Sequence, residues 1–226
     1  MPQIIDNIEK HLLTTLSEAM GLSERGDFCV GYFNLRGWKL ISPLVDDWKG
    51  GEGHCCRLLI GMHQTPHDQL KKALSPLGEQ EIDQKTAVDL KRKLAQEFRD
   101  QLTLGVPTNE DEAGLQRLAA QITAKKVVVK LFLRHPLHAK LYLLFRQDAL
   151  NPKIGYLGSS NLTMAGLSRQ GELNIDVLDN DACEKLYTWF ESRWNDRFCI
   201  DISDELVEII NESWARPKLI PPYHIY

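Results

Sequence analysis

Much of what would classify this chain quickly is missing from it. No apolar run comes near the ~20 residues that a membrane-spanning helix needs, which argues against such a span. The opening stretch, MPQIIDNIEKHLLTTLSEAM, is acidic early and lacks the basic start and short apolar core of a secretory signal. The 5 cysteines are an odd number, and Cys55 and Cys56 are adjacent rather than spaced C-x-x-C. Neither a disulfide framework nor a zinc site is therefore indicated. Reduced, buried thiols in a cytoplasmic protein are expected instead. No Pro-, Gly- or Ser-rich linker divides the chain, and no internal repeat runs through it. An excess of positive charge is also lacking: 27 basic against 31 acidic residues leave a net charge of -4. The protein as a whole does not attract polyanions, so any site for them must be a local patch.

What is present is enough for a full core: 226 residues, 43% of them hydrophobic, read as one domain over 1–226. Ile4, Ile5, Ile8, Leu12, Leu16 and Met20 follow a helical period and predict a helix over 3–20, stopped by Gly21. DFCVGYFNL (27–35) predicts a strand, WKLISPLVDDW a short helix in which Pro43 sits in the first turn or makes a kink, and CRLLIGM (56–62) a central strand. Residues 63–125 are charged and read as two or three helices, the last near 110–124. Lys91, Arg92, Lys93 and Arg99 form a basic run there, expected to be a solvated helix face, with contact to a phosphate backbone as the alternative. Strands follow at 126–133, 138–145, 153–160 and 172–179, with RQDALNP as a hairpin turn, and helices at 181–195 and 203–214 close the chain. This order implies an α/β fold, a mixed central sheet flanked by helices on both faces.

The chemistry concentrates in HAKLYLLFRQDALNPKIGYLGSSN, residues 138 to 161. On a strand, residues two apart share a face, so His138 and Lys140 are expected to point the same way. A buried lysine without a counter-charge is costly, and an arriving anion would remove that cost. Lysine supplies a fixed charge, histidine attacks or moves a proton near neutral pH, and Ser and Asn supply neutral hydrogen bonds. Taken alone, an H-x-K pair is an ordinary feature of edge strands and G-S-S-N an ordinary turn. Together, each at the edge of an apolar strand, they describe a phosphate pocket. His54, His63 and His67 with Cys55 or Cys56 form a weaker metal candidate, because Pro66 breaks the helical face and no ligand set closes. The tryptophans Trp38, Trp48, Trp189, Trp194 and Trp214 are expected in the core or at an interface. Tyr32 is expected to pack in the core, and Tyr32 and Asn34 are the upstream residues that this fold would bring to the pocket.

HAK followed by GSSN resembles the HKD signature of the phospholipase D superfamily: H-x-K, four residues, D, a spacer, then G-S-x-N. His138, Lys140, Gly158, Ser159 and Asn161 match it, and Glu172 follows where nucleases of the family carry an acid that orients the histidine. YFNLRGWKLISPLV resembles the first strand and helix of single-motif bacterial members. One position departs: the signature aspartate is Phe145, and Asp148 stands three residues later in the hairpin. The departure weakens a lipase reading more than a nuclease one, since several nuclease-type members lack that aspartate.

The resemblance implies an α-β-α sandwich and a metal-independent phosphodiesterase of nuclease type, with no cofactor. His138 would form a phosphohistidine, and a second histidine would protonate the leaving oxygen and then activate water. Lys140, Asn161 and Ser159 would hold phosphoryl oxygens, and Glu172 would fix the tautomer of His138. The family's site uses two such motifs and this chain has one, so a homodimer sharing the active site is implied. The ending ARPKLIPPYHIY has no polar tail and reads as the point where a longer protein continues. It resembles the single-motif domains that precede DEAD/DEAH-type helicases in bacteria, which favours DNA as partner and a helicase or restriction system as context. Two alternatives stand: a catalytically silent DNA-binding or dimerisation module, and, ranked last for want of an interfacial amphipathic helix, a phospholipase.

Overall fold

The computed structural model describes residues 2–62, 84–102 and 108–213. Its strands are β1 (Ile4–Ile5), β2 (Ser23–Val30), β3 (Cys56–Ile60), β4 (Val127–Phe132), β5 (Leu141–Arg146), β6 (Lys153–Gly158), β7 (Asn174–Val177) and β8 (Cys199–Asp201). Its helices are α1 (Leu12–Gly21), α2 (Leu35–Asp46), α3 (Gln84–Leu102), α4 (Asn109–Thr123), α5 (Asn180–Trp194) and α6 (Ser203–Glu212), with a π-turn at Ala165–Arg169. Among the described residues the strands form one sheet in the order β1-β7-β6-β5-β2-β3-β4-β8. β2, β3 and β4 run parallel, and the remaining neighbours pair antiparallel.

Side chains alternate across the strands, so each strand feeds two cores. Phe28, Leu58, Val129 and Tyr142 face one side, where they pack with Leu16 of α1, Trp38 of α2, Phe98 of α3, Leu118 of α4 and Leu206 of α6. Cys29, Leu59, Leu141 and Leu143 face the other and pack with Cys183, Phe190 and Trp194 of α5. The sheet is mixed and covered on both faces, the architecture that the sequence implied. No helix among the described residues is long and apolar enough to cross a membrane. All 5 cysteines are buried and unpaired, and burial pushes the Cys29 thiol up to about 12. Trp38, Trp48 and Trp194 are core residues; Trp214, His63 and His67 lie outside the described residues.

The ends of elements differ from the periodicity where local hydrogen bonds intervene. The helix expected over 3–20 begins only at Leu12. Asp6 Oδ1 accepts from the backbone N–H groups of Ile8, Glu9 and Lys10, and Asn7 takes a positive φ of 61°, so the chain turns there. Ile4 and Ile5 instead pair with β7 as an edge strand. The strand expected over 27–35 ends at Val30, because Asn34 caps α2 by accepting from Gly37 N–H at 2.9 Å. α4 falls at its expected place, opened by a capping box between Thr108 and Asp111. The basic run on α3 is engaged in ion pairs: Lys91 with Glu205, Arg92 with Glu208 and Glu212, and Arg99 with Asp100.

A charged cluster fixes the far end of β2. Asp27 is completely buried and takes the guanidinium of Arg57 in two bonds of 2.7 and 2.6 Å and that of Arg25 at 2.8 Å. Arg57 also reaches Glu191 of α5 and lies over the rings of Phe190 and Trp194. Removing one member of such a buried set leaves the others without compensation, which costs about 3–5 kcal/mol. Asp27→Ala should therefore lower unfolding stability by about 3 kcal/mol in urea titration. A change below about 0.5 kcal/mol would show that the cluster contributes nothing net.

Candidate active site

β2 and β3 are parallel and end side by side at Val30 and Ile60, and β5 runs back along β2 with Leu141 opposite Cys29. The segment before β5 thus arrives at the carboxyl ends of the parallel strands, the position where open α/β sheets place ligands. β6 finishes there as well, with Gly158 opposite Asn174 at the start of β7. Four loops converge: the ends of β2 and β3, the H-x-K segment and the G-S-S-N turn.

His138 and Lys140 are not on the strand, which begins at Leu141. Leu137 N–H donates to the Gly61 carbonyl at 2.8 Å and diverts the chain over the end of β3. The shared face predicted by alternation is replaced by direct contact. Lys140 Nζ lies 2.7 Å from Nε2 and 2.8 Å from Nδ1 of His138 and donates to the His138 carbonyl at 2.9 Å. In-plane lone pairs of the two ring nitrogens diverge, so an ammonium this close to both sits against the ring. His138 is exposed, whereas Lys140 retains 5% exposure. Among the described residues Lys140 forms no ion pair. Burial holds its ammonium below the ordinary lysine value, partly offset by the charge of Glu172.

Asn161 joins them. Its Oδ1 accepts from Tyr32 N–H at 2.9 Å, which fixes the side chain and leaves the amide N–H₂ without a hydrogen bond among the described residues. Ser159 and Glu172 pair with each other: Ser159 Oγ donates to Glu172 and accepts from Leu173 N–H at 3.0 Å. The carboxylate expected to hold His138 is thus engaged by the serine expected to hold phosphate. Among the described residues, no second histidine contacts His138. His135 packs on Phe132, and His54 pairs with Glu24 near the opposite end of the sheet. Nor do three His, Cys, Asp or Glu side chains gather as a metal site among the described residues.

Several positioning residues escaped the sequence reading. A Cβ on Gly61 would meet the Leu137 carbonyl oxygen at 2.0 Å, and one on Gly31 would meet His138 Cδ2 at 3.0 Å and Asn161 Oδ1 at 3.2 Å. Both glycines directly follow apolar strands, in CVG and LLIG, which is the signal that could have found them. Ser160 and Asn174 pin the G-S-S-N turn from inside: Asn174 Nδ2 donates to Ser160 Oγ at 2.8 Å, and Tyr142 Oη donates to the Ser160 carbonyl at 2.9 Å. Tyr32 is 48% exposed and its ring stands edge-on to His138 at 6.3 Å, so it belongs to the site rather than the core.

Phe145 lies four residues beyond Leu141, where β5 begins, roughly 13 Å along the strand. It pairs with Arg25, whose guanidinium stacks over the Phe145 ring at 4.2 Å. The missing aspartate is therefore replaced outside the site. Asp148 accepts from Leu150 and Asn151 N–H as a turn residue of the hairpin.

A family model described as "Cardiolipin synthase, PLD-like domain" matches residues 12–194. No curated protein sequence matches the chain. Among solved structures, the phospholipase D family member Nuc from Salmonella typhimurium is similar at 12% identity, with 89% of this chain and 97% of that chain covered and a TM-score of 0.50. NucT from Helicobacter pylori is similar at 11% identity, with 89% and 98% covered and a TM-score of 0.45. Phosphatidylserine synthase from Haemophilus influenzae matches at 13% identity over 93% of this chain and 44% of that chain, with a TM-score of 0.48. With the H-x-K segment and the G-S-S-N turn brought to one end of such a sheet, and the family model covering most of its length, the chain belongs to the PLD-like domain family of the phospholipase D superfamily.

Proposed function

We propose that this protein is a metal-independent phosphodiesterase of nuclease type, acting on nucleic acid through a phosphohistidine, with its active site completed by a second copy of the chain. The observation that carries this reading is Lys140: a buried cation with no counter-ion among the described residues, held against an exposed histidine. An entering phosphodiester supplies the missing anion. A ring nitrogen of His138 attacks phosphorus, the bond to the leaving oxygen breaks, and a proton donor neutralises that oxygen. Water then attacks the phosphohistidine and restores the ring. Lys140 and the Asn161 amide stabilise the phosphoryl oxygens as charge builds on them. Ser159 and Glu172 act behind them by fixing the turn. The resemblance of the sequence to helicase-associated single-motif domains favours DNA as the substrate.

A second copy is inferred because the first needs a proton donor that no described histidine supplies. The sheet edge beside the site offers a surface for it. Ile4 and Ile175 pair across β1 and β7 and so share a face, and they are 60% and 37% exposed; Leu173, next to Glu172, is 64% exposed.

EDTA-resistant cleavage of DNA is expected from the purified protein, with His138→Ala lowering the rate by about 10³-fold or more. Equal inertness of both proteins on DNA, RNA and simple diesters, with phosphate analogues still bound, would instead indicate a silent binding module. Turnover of choline lipids in vesicles would indicate a lipase. Because the Lys140 ammonium loses its proton at lower pH than an ordinary lysine, cleavage should fall as pH rises toward 10.5. Lys140→Arg, which stays charged, should remove that alkaline limb from the rate profile. Light scattering should show a dimer, and the double substitution Leu173→Asp, Ile175→Asp should give a monomer without cleavage. A monomeric wild-type protein that still cleaves would sink the shared site.

A further inference from the structure

Beside the candidate nucleophile lies a cavity of about 340 Å³ that the chemistry at phosphorus does not use. Its walls include Tyr32, Phe33, Met62 and Phe98 with Asn34 and Gln101, and among the described residues no acid lines it. It shares Gly31 with the site: the position of a Cβ on that glycine lies 3.0 Å from His138 Cδ2, 3.1 Å from Met62 Cγ and 3.2 Å from Asn161 Oδ1. The hollow and the phosphate position are separated by little more than a backbone.

The geometry points to a subsite for one unstacked nucleobase, the base attached to the phosphate that Lys140 holds; this assignment rests on the phosphodiesterase reading above. Three features select that occupant. The walls are aromatic: Tyr32 is 48% exposed, beside the buried rings of Phe33 and Phe98, which stack on each other with an interplanar angle of 21°. Planar bases gain from such walls whatever their sequence. Two amides of the lining have unused groups: Asn34 uses only Oδ1 to cap α2, and Gln101, exposed on α3, has no hydrogen-bond partner among the described residues. Amides carry both donors and acceptors, the complement of a base edge. A lining without acids among the described residues suits a ligand bearing a phosphate, and the volume is at the small end of the ~300–1,000 Å³ typical of ligand pockets, room for a ring system rather than for two long acyl chains.

The consequence is a substrate preference. A base stacked inside a duplex cannot enter a hollow beside its own phosphate, so the strand must be single or the nucleotide turned out of its stack. Duplex without such a nucleotide places its phosphate at Lys140 with the cavity unfilled.

The test separates the subsite from the chemistry. In His138→Ala protein, which cannot turn substrate over, fluorescence anisotropy compares a short single-stranded oligonucleotide with the same backbone bearing abasic residues. The intact strand should bind about tenfold more tightly. Tyr32→Ala and Gln101→Ala should each bring the ratio toward one, with circular dichroism confirming that both remain folded. Equal affinity for intact and abasic strands, or no binding of either, overturns the subsite. So does an unchanged ratio in both variants. Tighter binding of a short-chain phosphatidyl diester, lost in Tyr32→Ala, would assign the cavity to an acyl chain and equally overturn it. Hydrolysis of bis(p-nitrophenyl) phosphate by wild type, absent in His138→Ala, reports on the phosphodiesterase reading alone and does not depend on base discrimination.

Discussion

The antiparallel pairing of β5 against β2, at the border between the three parallel strands and the antiparallel half of the sheet, decides where everything else in this protein can sit. Two parallel strands end at Val30 and Ile60, and a strand running the other way begins opposite Cys29. Residues that precede β5 are thereby delivered to the place where β2 and β3 release their chains. Without that reversal, His138 and Lys140 would stand at the far end of the sheet from Gly31 and Asn161. The pairing is held by a buried, alternating interface, with Phe28 and Tyr142 meeting edge to face at 5.1 Å on one side and Cys29 and Leu141 on the other. A slip of one residue would exchange the two cores, so register at this junction is strongly specified.

The apolar runs made the interior of the fold legible. CRLLI, VVVKLF and LYLLFR are strands because each is an apolar stretch that two cores can bury. What the sequence hid was decided by single hydrogen bonds or by partners distant in the chain. β1 and β8 are two and three residues long, too short to carry a period, and exist because β7 and β4 accept them. The first helix loses its opening turns to Asp6 and Asn7, residues whose short side chains compete with a helix for the backbone. HAK reads as the start of a strand from its neighbours, and only the Gly61 carbonyl, far away in sequence, shows that it is not. The roles of Ser159 and Glu172 were hidden in the same way. Spacing puts both near the site but cannot say that they satisfy each other first.

Phe145 shows how a departure from a motif changes meaning once it has a position. Beside His138 it would mean a lost catalytic group. At the opposite end of β5 it is a packing surface for Arg25 and Tyr187, with rings 5.6 Å apart and the guanidinium above. The negative charge in that region comes from β2, where Asp27 lies between Arg25 and Arg57. Arginine stacked on an aromatic and bonded in plane to a carboxylate uses both properties of its flat cation. The phenylalanine therefore belongs to a different way of closing the far end of the sheet, away from His138 and Lys140 at the near end.

Charge follows the same division. A chain of net charge -4 draws no polyanion from a distance, and the basic run of α3 is tied to the acids of α6. Attraction for a phosphate must then act at short range, where a buried ammonium is screened least. Lys140 meets that condition because burial strips it of water while the described residues supply no counter-ion. Such burial costs the folded state, and on the proposed reading an arriving phosphate would remove that cost. Its bonded partners, a histidine ring and a carbonyl, are neutral, and the carboxylate whose charge reaches it, Glu172, is bonded to Ser159 instead.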